Sequence, residues 1–388
     1  MCGIAGWINL KEYIGSNEKI LNDMTDTLLN RGPDASGKWV SNHALLGHRR
    51  LIVVDPAGGS QPMVRNYGDN TYVITYNGEL YNTMDLRNTL ENYGHKFYSN
   101  SDTEVLLVSY IHWGTGCIEH LNGIYAFGVW DEKEQSLFLA RDRFGVKPLF
   151  YTQKGSSFIF GSELKTLLAH PFIEASIDSE GLAEIFTLGP AKTPGHGVFK
   201  GINEVKPAHF ILHNNSGTFI RKYWSLESKP HSDNLSNTVD KVNMLVNDAI
   251  VRQLVADVPV CTFLSGGLDS SAITAIAADV FNKTGKGRLH TYSIDYNGNG
   301  QYFKPSHFQP DSDSTWIKRM SEEYNTEHHY ITFDSPQLAE ALEDAVAARD
   351  LPGMADIDSS LWLFCREIKK DATVALSGEC AISPILLL

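Results

Sequence analysis

Along the first half of the chain, apolar residues fall in short runs separated by Gly, Asn and Asp. The runs "GIAGWI", "HALLGHRRLIVV", "TYVITYNGEL", "IYAFGVWD", "SLFLARD", "LFYTQ" and "FIFGSEL" have the length and composition of strands, and the residues between them suit hairpin turns. Two stretches repeat their apolar positions every three to four residues instead. These, "NEKILNDMTDTLLN" and "DTEVLLVSYIHWG", predict two amphipathic helices. Many strands with few helices predict an α+β half, a sandwich of sheets with helical layers.

The pattern changes near residue 215. "HNNSGTF" reads as a turn, "RKYWSLESKPHSDNLSN" is polar and irregular, and a helix "TVDKVNMLVNDAIVRQLVAD" follows. This places a linker there and divides the chain into domains 1–215 and 216–388. Beyond it strands and helices alternate: "PVCTFL", "SSAITAIAADVFN", "LHTYSIDY", "STWIKRMSEEY", "HHYITF", "PQLAEALEDAVAARD", "SSLWLFCREIKK" and "ATVAL". Such alternation predicts an α/β domain with a parallel sheet covered on both faces. Ligands of such sheets bind beyond the carboxyl ends of the strands.

Composition narrows the function classes. A formal charge of −13 argues against a nucleic-acid backbone or an anionic membrane as partner. No apolar run approaches the roughly 18–20 residues of a membrane span, and "MCGIAGW" lacks the basic flank of a secretory signal. The five cysteines are odd in number and lack CxxC spacing, which fits free thiols in a reducing cytoplasm. His328 and His329 are adjacent, so a strand would point them to opposite faces; no metal cage is expected from them.

Chemistry concentrates first in "SGGLDSS", Ser265 to Ser271, between a strand and a helix. Gly266 and Gly267 let the backbone approach an anion, and the following helix N-terminus favours negative charge. Ser265, Ser270 and Ser271 add hydroxyl donors, and Asp269 is suited to a divalent cation bridging phosphates. A tight turn with a serine cap is the plainer reading of the same residues. The lysine of a Walker loop is missing. The motif resembles the pyrophosphate-binding loop of ATP-pyrophosphatases, which cleave ATP between its α and β phosphates. That resemblance implies that Leu264 and Ile294 border the nucleotide. It also implies that "LSGE", with Ser377 and Gly378, forms a second turn near the phosphates.

The N-terminal half resembles the class II glutamine amidotransferases in "MCGIAGW", "RGPD", "HRRLIVVD", "QPM", "YNGEL", "SDTE", "LNGIYAF" and "ARDRFGVKPLFY". With "SGGLDSS", the chain as a whole resembles the glutamine-hydrolysing asparagine synthetases. The resemblance implies an N-terminal-nucleophile glutaminase fold, then an ATP-pyrophosphatase-type domain. Cys2 would be the nucleophile once Met1 is removed, with its own α-amine as base, because a thiol near pKa ~8.5 and an amine near ~7.7–8.0 are well matched. The Asn77 amide and Gly78 N–H would hold the oxyanion, although Asn-Gly is also a common hairpin turn pair. Arg50, Val53, Val54, Asn77, Glu79 and Asp102 would bind glutamine. Arg50 suits a carboxylate, with Arg49 pointed to the other face by strand alternation. Asp102 reads equally as a helix N-cap. The implied substrates are glutamine, aspartate and ATP with Mg2+ at Asp269, with no tightly bound organic cofactor; a homodimer is compatible with the family.

The chain departs from the family after Ala381. The family continues Ser-Gly-Glu-x-Ala-Asp-Glu, whereas here "SGECAISPILLL" lacks the Asp-Glu pair and the helical remainder of the domain. The sequence reading is therefore of an incomplete synthetase domain, with glutamine hydrolysis as the activity the chain retains. Two alternatives stay open: an amidotransferase of the same architecture with another carboxylate acceptor, for which "PGMADIDSS" is a candidate contact, and a non-catalytic glutamine-binding fragment.

Overall fold

The computed structural model describes residues 1–307 and 311–378; Glu379, Cys380 and the apolar tail lie outside the described residues. The chain forms two compact units, Met1–Ser228 with Arg349–Gly353, and Lys229–Ala348 with Met354–Leu388.

In the first unit, strands β1 (Gly3–Asn9), β2 (Ala35–Val40), β3 (Ala44–Arg50), β4 (Met63–Tyr67), β5 (Asn70–Leu80), β6 (Gly123–Asp131), β7 (Ser136–Arg141), β8 (Phe150–Lys154), β9 (Ser157–Gly161), β10 (Asn203–Glu204), β11 (His209–Asn214) and β12 (Gly217–Lys222) build two six-stranded sheets. Their orders are β10-β8-β9-β1-β3-β2 and β12-β11-β7-β6-β5-β4, with antiparallel pairing throughout. Ile4, Ile8, Leu46, Val73, Trp130, Leu139 and Phe160 fill the space between the sheets. Helices α1 (Glu18–Asp26), α2 (Thr83–Asn92), α3 (Asp102–Trp113), α4 (Leu164–Leu168) and α5 (Ser179–Leu188) complete the unit. The first sheet packs its outer face on α1 and α4, the second on α2 and α3. This is a helix–sheet–sheet–helix sandwich, and alternating strand residues serve the two sides of each sheet.

Two expectations are corrected. More helices form than the two predicted: α2 buries only Leu86 and Leu90, too few positions to mark it in the sequence. The predicted strand through Val54 ends at Arg50. Side chains capture the backbone there, since Asp34 Oδ2 accepts from Ile52 N at 2.8 Å and Arg50 bonds to the carbonyls beyond it. The turn expected in "HNNSGTF" is the bend of the β11–β12 hairpin, between Asn214 and Gly217.

The second unit contains α6 (Leu235–Arg252), β13 (Val260–Phe263), α7 (Leu268–Thr284), β14 (His290–Tyr296), α8 (Asn299–Tyr302), α9 (Asp313–Glu323), β15 (Glu327–Phe333), α10 (Ser335–Glu340), α11 (Leu342–Arg349, ending at the first unit's segment), α12 (Ala355–Ile368) and β16 (Val374–Leu376). The sheet is parallel, in the order β15-β14-β13-β16. Ile250, Ala277 and Phe281 cover one face, and Leu363, Phe364 and Ile368 the other. The single helix predicted over residues 336–350 is two, α10 and α11.

Candidate active site

Cys2 stands at the head of β1. Its carbonyl accepts from Arg31 Nε at 2.9 Å, and Arg31 Nη1 in turn pairs with Glu163 at 2.9 Å. The Cys2 thiol donates to the Leu51 carbonyl across 3.6 Å. Burial pushes the thiol above its ordinary pKa; the Leu51 contact, the chain's terminal ammonium and Arg50 pull it back down, and Asp102 adds to the rise. The "RGPD" motif is therefore a brace: Arg31 fixes Cys2, and Asp34 fixes the loop that follows Arg50.

Alternation along β3 separates the two neighbouring arginines. Arg49 turns to α1 and pairs with Asp26. Arg50 is 6% exposed, and its guanidinium donates to the carbonyls of Val54 at 3.2 Å, Asp55 at 2.6 Å and Pro56 at 3.0 Å. The Val54 carbonyl, expected to face a ligand, thus serves Arg50 directly; Val53 lies half-buried in the same loop.

Asn77 and Gly78 are not a hairpin turn. They lie within β5, opposite Ala126 and Tyr125 of β6. A Cβ at Gly78 would stand 2.4 Å from the Ile124 carbonyl oxygen, so the two strands approach too closely for any other residue. Tyr76 N donates to Gln61 Oε1 at 2.7 Å and Leu80 N to Asp102 Oδ2 at 3.1 Å, both away from β6. Antiparallel alternation puts the Gly78 N–H on that same open edge. Asn77 is 1% exposed, and its Nδ2 has no hydrogen-bond partner. A buried amide donor left unmade costs about 1–3 kcal/mol, which marks a position prepared for an acceptor.

Asp102 is not the helix cap. Ser101 caps α3 by accepting from Thr103 N, and Asp102 occupies the first helical position. Its carboxylate accepts from Tyr76 OH at 2.8 Å and from Leu80 N. Burial raises its pKa, and these bonds oppose the rise. Glu79 is also raised by burial, with Lys147 and the terminal ammonium pulling down and Asp102 pushing up. Mutual electrostatic influence thus gathers Cys2, Arg50, Glu79 and Asp102 into one region.

Sequence reasoning missed Lys147 and Tyr76. Lys147 is 6% exposed, its Nζ is 3.2 Å from Met1 Sδ, and burial lowers its pKa against the pull of Glu79. The signal lay in "RDRFGVKP": Asp142 accepts from the backbone N–H of Tyr125, Phe144, Val146 and Lys147, a turn that presents the lysine. Tyr76 carried no signal beyond its place in β5.

In the second unit, a cavity of about 550 Å³ opens beyond the carboxyl ends of β13, β14 and β16. Leu264, Ser265, Gly267, Asp269, Ser270, Ile294, Ser377 and Gly378 all line it. Gly266 does not line it but makes the turn: its φ is +80°, and a Cβ there would meet Trp316 Cβ at 2.9 Å. Ser265 N donates to Ser270 Oγ at 3.2 Å, closing the loop on itself. No side chain caps α7 at Gly267, so the plainer reading of a serine-capped turn does not hold, and the first turn of the helix lines the cavity. Gly378 packs against this loop, where a Cβ would lie 2.8 Å from Asp269 Cβ. Asp313, missed in the sequence, adds a second carboxylate, and Ile357 and Ser360 of the "PGMADIDSS" stretch join the wall.

Comparison with known proteins follows the same division. Residues 1–224 match the glutamine amidotransferase domain family, and residues 241–381 match the asparagine synthase family. Asparagine synthetase [glutamine-hydrolyzing] 3 of Bacillus subtilis (strain 168) is 58% identical over 98% of this chain and 62% of its own length. Asparagine synthetase [glutamine-hydrolyzing] 1 of the same organism is 33% identical over 98% of this chain and 58% of its own. The putative asparagine synthetase [glutamine-hydrolyzing] 2 of Methanocaldococcus jannaschii is 31% identical over 98% of this chain and 74% of its own. The chain thus spans about three fifths of the two Bacillus relatives. Among the described residues, no helix is long and apolar enough to cross a membrane. A thiol at the head of β1, an amidotransferase match across the sandwich and a relative matched over 74% of its length together make this chain a member of the glutamine-hydrolysing asparagine synthetase family.

Proposed function

We propose that the first unit releases ammonia from glutamine at Cys2, and that the second unit uses ATP to activate aspartate for amidation to asparagine. The observation that carries the first half is Asn77 Nδ2, a buried amide donor without a partner, on the strand whose Gly78 N–H faces the open edge. With Met1 removed, the α-amine of Cys2 takes the thiol proton. The sulfur bonds to the side-chain carbonyl carbon of glutamine, and the oxyanion rests on Asn77 and Gly78. The C–N bond breaks, ammonia leaves with the proton from the amine, and water cleaves the thioester to glutamate. Arg50 holds the α-carboxylate of glutamine, and Asp102, with Glu79 beside it, holds the α-ammonium; the Val53–Val54 loop flanks the carboxylate.

In the cavity, the loop from Ser265 to Ser270 with the turn at Ser377 and Gly378 cradles the phosphates, and Leu264 and Ile294 border the base. The carboxylate of Asp269 would hold Mg2+ together with phosphate oxygens, a hard-oxygen donor set suited to that ion, which when bound supplies neutralising charge to the phosphates. The side-chain carboxylate of aspartate attacks the α-phosphorus and pyrophosphate leaves; ammonia then displaces AMP. In this reading the domains are 1–215 for glutamine hydrolysis and 216–388 for the nucleotide, and the substrates require no organic cofactor. Glutamate release by the purified chain and by Cys2→Ala tests the first half. Release lost in the variant supports it; release retained overturns it.

A further inference from the structure

β14 and β15 begin side by side in the second unit, with His290 in register with Glu327 and Tyr292 with His329. Alternation sends His328 to one face, where its ring nitrogens meet Thr291 Oγ1 at 2.8 Å and Ser293 Oγ at 2.9 Å. It sends Glu327 and His329 to the other face, beside His290. There His290 Nδ1 lies 3.0 Å from His329 Nε2, the two rings are 10° from parallel, and one ligand atom from each of the three residues lies within 4.8 Å of the others.

The geometry points to a binding site for one divalent transition-metal ion of the zinc class, held by His290 Nδ1, His329 Nε2 and a Glu327 carboxylate oxygen. Two nitrogens bound at about 2.0–2.1 Å and a tetrahedral angle stand roughly 3.4 Å apart, so the observed pair needs a shift of only a few tenths of an ångström. Two imidazoles and one carboxylate suit zinc, nickel or copper and leave a position for water. The Tyr292 ring stacks on His329 at 4.6 Å, and its hydroxyl donates to Asp371 at 3.2 Å, which fixes the face against which His329 rests.

The position sets the role. These residues sit at the amino ends of the strands, whereas the cavity lies beyond the carboxyl ends, so the ion is separate from any that accompanies ATP. β15 is an edge strand of the sheet. A metal here ties that edge to its neighbour and protects it from fraying. The inference stands independently of the proposed reaction.

Cobalt(II) titration of the metal-free chain tests it. One equivalent gives a visible d–d band without thiolate charge transfer in the near ultraviolet, zinc removes the band, and either metal raises the melting temperature. His290→Ala and His329→Ala weaken cobalt binding at least tenfold. His112→Ala, which breaks the comparable His95–His112 pair of the first unit at 3.0 Å, leaves it unchanged. The exposed Glu327→Gln weakens it severalfold and keeps the test decisive if a histidine variant misfolds. Absence of the band, a band with thiolate charge transfer, or binding unmoved by the His290, His329 and Glu327 variants overturns the site.

Discussion

A buried thiol is a poor nucleophile until its proton is taken, and a buried amide donor is a liability until an acceptor arrives. Cys2 and Asn77 have these needs, and in the proposed reaction the α-amine of Cys2 meets the first and the side-chain carbonyl oxygen of glutamine the second. Arg50 has a different task in the proposed reaction, since it grips a group remote from the bond that breaks. Arg50→Ala therefore raises KM for glutamine more than it lowers kcat. Asn77→Ala lowers kcat by about 10²–10³ with little change in KM, because its bond strengthens in the transition state. Steady-state glutamate release resolves the two, and equal effects on both parameters would mean the roles are wrongly assigned. The residues themselves were legible in the sequence through motif company. Their physical state was not: whether Asn77-Gly78 bends or extends the chain depends on β6 lying beside it, and Asp102 loses the cap role to Ser101 only once Tyr76 and Leu80 claim its carboxylate.

At the scale of elements, the two sheets are joined by polar as well as apolar contacts. His48 of β3 is fully buried, with its Nδ1 3.3 Å from Thr75 Oγ1 of β5. Burial, with help from Arg50, holds its pKa down at about 3. The folded state therefore refuses a proton that the unfolded chain accepts near 6.5, and this part of the stability is present above pH 6.5 and lost as pH falls toward 3. Between pH 7 and pH 5 the loss is about 2 kcal/mol. Urea unfolding of His48→Gln should show a pH dependence smaller by about that amount; an unchanged slope would place the buried imidazole elsewhere. In the second unit, the turn at Gly266 has its φ at +80°. Gly266→Ala should weaken ATP binding by about tenfold through backbone strain and its clash with Trp316, measured by calorimetry. Undiminished affinity would separate that loop from the nucleotide. Strands that are apolar runs bounded by turn residues, such as β5 and β6, were read closely from sequence. β3 was overextended, because the bonds from Asp34 and Arg50 that end it come from side chains distant from any periodicity.

Over the whole chain, two units with separate cores hold the Cys2 thiol in one and a cavity of about 550 Å³ in the other. The order of antiparallel strands followed by alternating β and α elements was visible in the sequence, because each architecture imposes its own repeat on the hydrophobic positions. The sheet orders were not, since they rest on pairings between distant strands such as β1 with β9. The proposed glutamine hydrolysis turns on Cys2 alone. A glutamine analogue with a diazoketone in place of its amide alkylates a thiol that attacks the side-chain carbonyl, and peptide mass spectrometry locates the adduct. One adduct per chain is expected, on Cys2 of a polypeptide that has lost Met1, with glutamate release falling in proportion. An adduct on Cys117, Cys261 or Cys365, or glutamate release that continues with Cys2 fully modified, would contradict it.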